Sequence, residues 1–456
     1  MGGIDRNRII QKSPILVGRT ALESRRGSSS SQHPPYVAIT TSNTDWFHGE
    51  TFCMAMLYSG SHIESIEKDV YGQIRVTQGI HPDTLHWNLG PSQTFDTPQC
   101  VLTLTKEGLN GMTHEFHRVC LKHLIPDLSS SILLNSWESL YYDTTSEKIE
   151  ALADQAAKTG MEMVVIDDGW FRVENNSRSP TGDWKVNKHK LSEGLDGAIA
   201  SITKRGMKAG LWFEPEAVSA NSQLAKKHPE WILRQNMEPV QGRHELLLDL
   251  SKQAVQDHLI KMLDFYLSNY NLSYIKWDMN RPLTDTGRNG KGHAYMHGLY
   301  RVLETIRQMH PSCLIEGCSS GGNRLDLGML AYVGQNWTSD NTDPFDRREI
   351  QSGLSLFLPP QKITAHVSAQ INHQTGRRSS WENRFGVAQF FDPGFEVDLS
   401  SLNEQETEII KEQVATIKEE RNWLEAADFY QDDGMWYKID KKKEKAMVQI
   451  FRSISI

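Results

Sequence analysis

The chain has 456 residues, with 49 Lys and Arg against 57 Asp and Glu, a formal net charge of −8 and 38% hydrophobic residues. That length exceeds a single ordinary domain, and an acidic balance with both signs spread along the chain excludes nucleic acid as the partner. The five cysteines (Cys53, Cys100, Cys120, Cys313 and Cys318) are odd in number and at no metal-ligand spacing, which excludes a disulfide framework and fits a cytoplasmic protein without a metal or other cofactor.

The chain opens without the apolar core of a leader, and no run is long enough to span a bilayer. Arg25–Pro35 (RRGSSSSQHPP) is polar and should be loop. Short runs rich in β-formers follow, at Tyr36–Thr40, Phe52–Tyr58, Gly72–Gln78, Thr84–Leu89 and Cys100–Thr105. Turn residues separate them, as in an antiparallel sandwich. Met112–Ile125 then reads as a connecting helix.

From Ser131 onward the pattern changes to short apolar runs that each close on polar residues. They are Ser131–Trp137, Met161–Trp170, Met207–Pro215, Glu245–Ser251, Leu272–Arg281, Cys313–Gly322, Gly334–Asn341 and Ile363–Ala369. Most connections between them have helical periodicity; the first opens at Thr144, with Glu147 completing a capping-box signal. Eight strands alternating with helices predict an α/β fold, a (β/α)8 TIM barrel whose chemistry sits at the C-terminal strand ends. The expected divisions are 1–130 for a partial β-sandwich and linker helix, 131–400 for the barrel, and 401–456 for a further helix and the start of a β-sheet domain. That tail holds a helix over Asn403–Arg421 and strand-like Asp428–Ile439 and Lys445–Ile454.

The run Tyr274–Arg281 (YIKWDMNR) is the sharpest chemical signal. Side chains alternate along a strand, so Lys276, Asp278 and Asn280 share one face, toward the barrel mouth. An ammonium two residues from Asp278 favours its ionised form, the state a glycosidase nucleophile needs. In Gly334–Asn341 the same alternation groups Asn336, Thr338 and Asp340. Counted along the chain these are the fifth and seventh strands, and alternate strands fill the same layers of a barrel. Asp278 and Asp340 thus form a candidate carboxyl pair, with Asp343 as a competitor that its neighbouring proline marks as a turn cap.

Asp167 and Asp168 close the second predicted strand and could accept hydrogen bonds from neighbouring sugar hydroxyls, with an Asp168–Gly169 turn as the structural alternative. Trp212 is a candidate stacking wall or a core residue, and Trp137 ends the first strand in the same manner. Cys318–Gly322 (CSSGG) allows close approach to a ligand, and His366 and His373 read as hydrogen-bonding groups rather than metal ligands.

These segments together resemble the α-galactosidases of glycoside hydrolase family 36. The resemblance is carried by NSWESLYYD at Asn135, VVIDDGWF at Val164, GLWFEPEAVSANSQL at Gly210, YIKWDMNR at Tyr274, EGCSSGGNRLDLGML at Glu316 and QNWTSDNTDPFDR at Gln335. AHVSAQINHQTGR at Ala365 and FEVDL at Phe395 extend it. It implies retaining hydrolysis of α-galactosides such as melibiose and raffinose-type oligosaccharides, with Asp278 as nucleophile and Asp340 as acid/base. It further implies a sugar subsite of Asp167, Asp168, Trp212, Lys276, Asn280, Cys318, Gly321 and Gly322, with Arg243 and Trp137 nearby. No metal or cofactor is implied, and a homo-oligomer is. Against the family pattern, the N-terminal sandwich and the C-terminal sheet domain are both expected to be shortened. Two other readings stay open: a galactosyltransferase of the raffinose or stachyose synthase type, and a galactoside-binding remnant without turnover.

Overall fold

A computed structural model describes residues 10–125, 128–173, 180–236, 238–284 and 286–451. At its centre is a closed barrel of eight parallel strands. In chain order they are Leu133–Asn135, Met163–Ile166, Lys208–Phe213, Leu272–Trp277, Leu314–Gly317, Gln335–Trp337, Ile363–Ser368 and Asp392–Glu396. The eighth closes on the first through Phe395 beside Leu134. The (β/α)8 barrel expected from the alternation is therefore the fold.

Two strands of the predicted set change. Glu245–Leu247 is no barrel strand; it lies antiparallel between Ala217–Val218 and Gln241–Gly242, in a long insertion after the third strand. Burial on both sides made its apolar run look like a strand of a parallel sheet. The eighth strand is instead Asp392–Glu396, whose opening Asp-Pro-Gly reads as a turn. Asp278 thus follows the fourth strand and Asp340 the sixth, still two apart.

Inside the barrel, Leu133, Met163, Val165, Tyr274 and Leu314 make a separate apolar cluster. Gly210 leaves room for it, since a Cβ there would lie 3.0 Å from both Tyr274 Cβ and Val165 Cγ2. Nearer the C-terminal ends the buried residues turn polar: Asn135, Asp167, Lys276, Glu316, His366 and Glu396. An apolar plug below a polar layer leaves those groups to satisfy one another or a ligand.

The first outer helix, Ser146–Thr159, buries Ile149, Leu152, Ala153 and Ala156 at helical spacing. Its cap is Thr145, which accepts from the Lys148 amide at 3.3 Å, one residue beyond the predicted Thr144. The long helix Glu404–Ala426 opens on a complete Asn403–Glu406 capping box. Near its end Arg421 donates to both oxygens of Glu162 at 2.8 and 2.9 Å.

Before the barrel stand two antiparallel sheets of three strands. One joins Gly18–Ser24, His62–Lys68 and Ile74–Ile80; the other joins Tyr36–Thr40, Thr51–Met56 and Cys100–Thr105. The first two of these strands escaped the sequence reading because charged and small residues interrupt them. Thr84–Leu89 is not a strand; Leu85 makes an isolated bridge to Asn289. The Ser-rich stretch is loop as expected, yet Ser28–Ser31 are buried. Ser29 and Ser59 both donate to Asp326 of the barrel, Ser59 Oγ at 2.7 Å from Oδ1, which docks this piece onto the fifth connection. The linking helix is Gly108–Val119, widened into a π turn over Cys120–Leu124.

After the barrel, Asp428–Asp432, Met435–Ile439 and Ala446–Ile450 form an antiparallel sheet. A turn at Gly434 (φ +81°) splits the run read as one strand, and the predicted extension to Ile454 lies outside the described residues. Lys438 of the middle strand is buried and lines a cavity with Phe391, Ile417 and Leu424 and with the acids Asp392 and Glu425, whose charges favour the ammonium less than burial opposes it. Burial pushes its ammonium down to about 8, so the folded state disfavours the charge. Below pH 8 that penalty is full, and it fades as pH rises toward the ordinary lysine value of about 10.4. Lys438→Met is expected to raise Tm at pH 7 by about 3 °C, with the gap closing above about pH 10. An unchanged or lower Tm in a pH 7 melting experiment would refute this.

Candidate active site

The C-terminal strand ends surround a cavity of about 270 Å³. Asp278 stands just past the fourth strand, and both its oxygens are occupied by N–H donors. Oδ1 accepts from the Met279 and Ser320 amides at 2.8 and 2.9 Å. Oδ2 accepts from Asn280 Nδ2 at 2.8 Å and Trp212 Nε1 at 3.2 Å. Four N–H donors are the surroundings that suit a carboxylate anion. Lys276, expected to hold Asp278 ionised, is instead committed to Asp167, 2.7 Å from Oδ2. Its long stem carries the ammonium across to the second strand, so sharing a strand face does not decide its partner.

Asn280 is clamped in turn. Glu214 accepts from its amide at 2.5 Å and from Nδ2 at 3.1 Å, and Arg243 Nη1 donates to its carbonyl at 3.2 Å. Burial and the nearby Glu245 and Asp278 charges drive the Glu214 carboxyl well above the usual range. Arg243 and His244 form the two-residue turn of the hairpin that joins Gln241–Gly242 to Glu245–Leu247, with φ +50° and +65°. Asn and Gly normally fill such turns; here the strained backbone sets an arginine at the cavity rim.

The CSSGG segment is the second device. Ser319, Ser320, Gly321 and Gly322 all have positive φ (+60°, +54°, +78°, +78°), a left-handed turn closed by the Gly322 amide on the Cys318 carbonyl at 2.6 Å. Two serines in this region signal strain. The turn touches both acids: Ser320 N bonds Asp278, and a Cβ on Gly321 would sit 2.6 Å from the Asp340 amide nitrogen. Gly321 and Gly322 therefore shape the site from behind, whereas Cys318 lines the cavity with a thiol that burial holds protonated.

Asp340 lies in the loop after Trp337, where the sixth strand ends. The grouping of Asn336, Thr338 and Asp340 fails here, because strand alternation stops at Trp337. Instead Trp337 lines the cavity and donates from Nε1 to Asp340 Oδ1 at 2.9 Å. Burial, then the Asp278 charge, raises Asp340 above the usual carboxylate range. Asp343 is no rival: it caps the helix Pro344–Leu354, accepting from Phe345 N at 2.9 Å, and pairs with Arg377 at 2.7 Å.

Asp167 also accepts from Asn135 Nδ2 at 2.7 Å and from the Asp168 amide at 2.8 Å. Asp168 is gripped by Arg172, its Oδ1 2.5 Å from Nε and Oδ2 2.8 Å from Nη2. Both aspartates line the cavity. Trp212 serves as core and wall together: its ring stacks on Phe171 at 6.2 Å and 5°, and its N–H reaches Asp278. Trp137 lines the rim, edge-on to Tyr141 and Tyr142.

Sequence reasoning missed Glu138, Tyr141, Tyr142, Trp337, Thr342, Gln374 and Glu396, all in the wall. Glu138 and Glu396 are both buried. His366 Nδ1 lies 3.1 Å from Glu396 Oε2, and burial pushes the imidazole down to about 3. His373 reaches the wall itself, bonded to the Tyr141 hydroxyl.

Two family models match the chain: one described as Melibiase, over residues 94–427, and the Glycosyl hydrolase family 36 N-terminal domain, over residues 5–90. The alpha-galactosidase AgaA of Geobacillus stearothermophilus is 40% identical over 474 residues, 100% of this chain and 65% of its own length. The bifunctional alpha-galactosidase/sucrose kinase AgaSK of Mediterraneibacter gnavus is 36% identical over 98% of this chain and 49% of its own length. The crystal structure of AgaA superposes with a TM-score of 0.94, covering 96% of this chain and 64% of that one. An AgaA variant in complex with raffinose matches with the same score at 39% identity. The chain thus spans about half to two-thirds of the length of these relatives.

Proposed function

Because the chain belongs to the melibiases of glycosyl hydrolase family 36, we propose that it hydrolyses terminal α-D-galactosyl residues with retention of configuration. Melibiose and raffinose-type oligosaccharides are its proposed substrates, since an AgaA variant is solved with raffinose and another with stachyose. The observation that carries this reading is the unlike environment of two acids joined by one turn. Asp278 is surrounded by four N–H donors, while Asp340 accepts from Trp337 Nε1 alone among the described residues and is pushed toward its neutral form. Such a split assigns nucleophile and acid/base to a carboxyl pair.

Asp278 attacks the anomeric carbon as Asp340 passes its proton to the glycosidic oxygen, giving a β-galactosyl-enzyme. Asp340, now ionised, takes a proton from a water whose oxygen bonds to the anomeric carbon, and the bond to Asp278 breaks to release α-galactose and the free carboxylate. Asp167, Asp168 and Lys276 bind galactose hydroxyls, and Trp212 holds both ring and nucleophile. Reduced cysteines, all five unpaired, support a cytoplasmic setting. The test is hydrolysis of p-nitrophenyl α-galactoside followed by proton NMR, with α-galactose the first product. Because Asp340 must be protonated, kcat/KM for oligosaccharides falls as pH rises through its raised pKa. First-formed β-galactose, or a folded chain without turnover, would refute the reading.

A further inference from the structure

The wall of the cavity divides by strand. Asp167, Asp168, Trp212, Lys276 and Asp278 come from the ends of strands two to four. Asp340, Thr342, His373, Glu396 and Glu138 come from strands six, seven, eight and one, which are continuous around the ring. In the mechanism proposed above, on which this inference rests, Asp340 delivers its proton to the departing oxygen. The leaving group therefore lies on the Asp340 half.

That half contains an acid with no task in the mechanism. Glu138 follows the first strand, 8% exposed, and lines the cavity. Its Oε1 accepts from Thr342 Oγ1 at 2.8 Å, and Asn372 Nδ2 fixes the same hydroxyl at 2.8 Å. Thr342 stands two residues past Asp340, so Glu138 is tied to the acid/base loop. The Ala369 backbone also holds the carboxyl; among the described residues its buried Oε2 makes no well-formed hydrogen bond, and His373 Nδ1 is 4.0 Å away. A buried polar atom left unmatched is costly unless a ligand completes it. Burial and the neighbouring Glu396 push Glu138 up to about 8, so its carboxyl can donate as well as accept, as a sugar hydroxyl does.

We propose that Glu138 binds a hydroxyl of the departing sugar, making it a specificity residue for oligosaccharides over galactosides whose leaving group has no hydroxyl. A site built to hydrogen-bond a hydroxyl discriminates because, with the wrong ligand, its own polar atom stays unmatched.

The test compares raffinose with p-nitrophenyl α-galactoside, whose leaving group offers no sugar hydroxyl. Glu138→Ala is expected to lower kcat/KM for raffinose about 10- to 100-fold and for the aryl galactoside less than about threefold. Glu138→Gln, which keeps a donor and an acceptor, is expected to stay within about threefold on both. Equal losses on the two substrates would overturn the proposal, as would no loss on raffinose. Calorimetry in an Asp278→Asn background separates this from failure of the galactosidase reading. There Glu138→Ala should weaken raffinose about tenfold and leave galactose unchanged. Unchanged raffinose affinity overturns the role of Glu138 alone, and absence of binding by either sugar overturns both readings.

Discussion

Asp278→Ala is expected to cut turnover of p-nitrophenyl α-galactoside by roughly 10⁴-fold, or about 5.5 kcal/mol of transition-state stabilisation. The four N–H groups now on Asp278 would face an empty space the size of a carboxylate. Azide, a small linear anion, can enter that space and attack from the nucleophile's side. The expected rescue product is β-galactosyl azide, inverted relative to the substrate. Asp340→Ala behaves differently, because Asp278 still forms the galactosyl-enzyme. Azide then attacks that intermediate, and the product is the α-azide. Turnover near that of the unaltered chain in Asp278→Ala, or an α-azide from it, would remove Asp278 as nucleophile. Asp278→Asn keeps the volume but only one acceptor oxygen, and so two of the four hydrogen bonds; melting curves on both variants exclude unfolding as the cause.

Gly321→Ala is the second large effect. Its Cβ would lie 2.6 Å from Asp340 N, 3.1 Å from Ser339 Cα and 3.2 Å from Asp340 Cγ, at a backbone φ of +78°. The nearest obstacle is backbone, which cannot swing aside as a flexible side chain would. The turn must move, taking Ser320 N off Asp278 and shifting Asp340. The expected cost is about 2–3 kcal/mol of stability and a kcat loss of at least about 100-fold. Gly376 provides the control, with φ +69° and nothing within 4 Å of an added Cβ. Gly376→Ala should show the strain, about 1 kcal/mol, with kcat intact. If the two variants lose activity alike, close packing against Asp340 is not what the glycine provides.

Much of the barrel was legible because apolar runs of strand length ended on acids and tryptophans, a pattern that burial and chemistry impose together. The residues that misled did so for local reasons. Glu245–Leu247 has the composition of a barrel strand because an insertion covers it, and Asp392–Glu396 hides behind Asp-Pro-Gly. Lys276 lies in the fourth strand and Asp278 and Asn280 follow its end at Trp277, and all three reach the wall as their alternation suggested. The same rule failed for Asp340, because the strand stops three residues earlier. Lys276 chose Asp167 over Asp278, a decision made across strands that no spacing within one strand could record. Glu138 and Glu396 lie far apart in sequence, and no spacing along the chain sets one beside the other. Only closing the ring brings them into one wall.

The left-handed turn over Ser319–Gly322 has a consequence for how such a chain can change. Its main chain contacts Asp278 and leaves no space beside Asp340, so the gap between the proposed nucleophile and proton donor is set by peptide geometry, not by two independently chosen rotamers. Side-chain substitutions elsewhere in the wall can trade one sugar partner for another without altering that gap. Conversion from retention to inversion requires a wider gap that admits water, and hence new backbone here. Chains that keep this turn should therefore diversify in what they cleave while holding the stereochemical course constant.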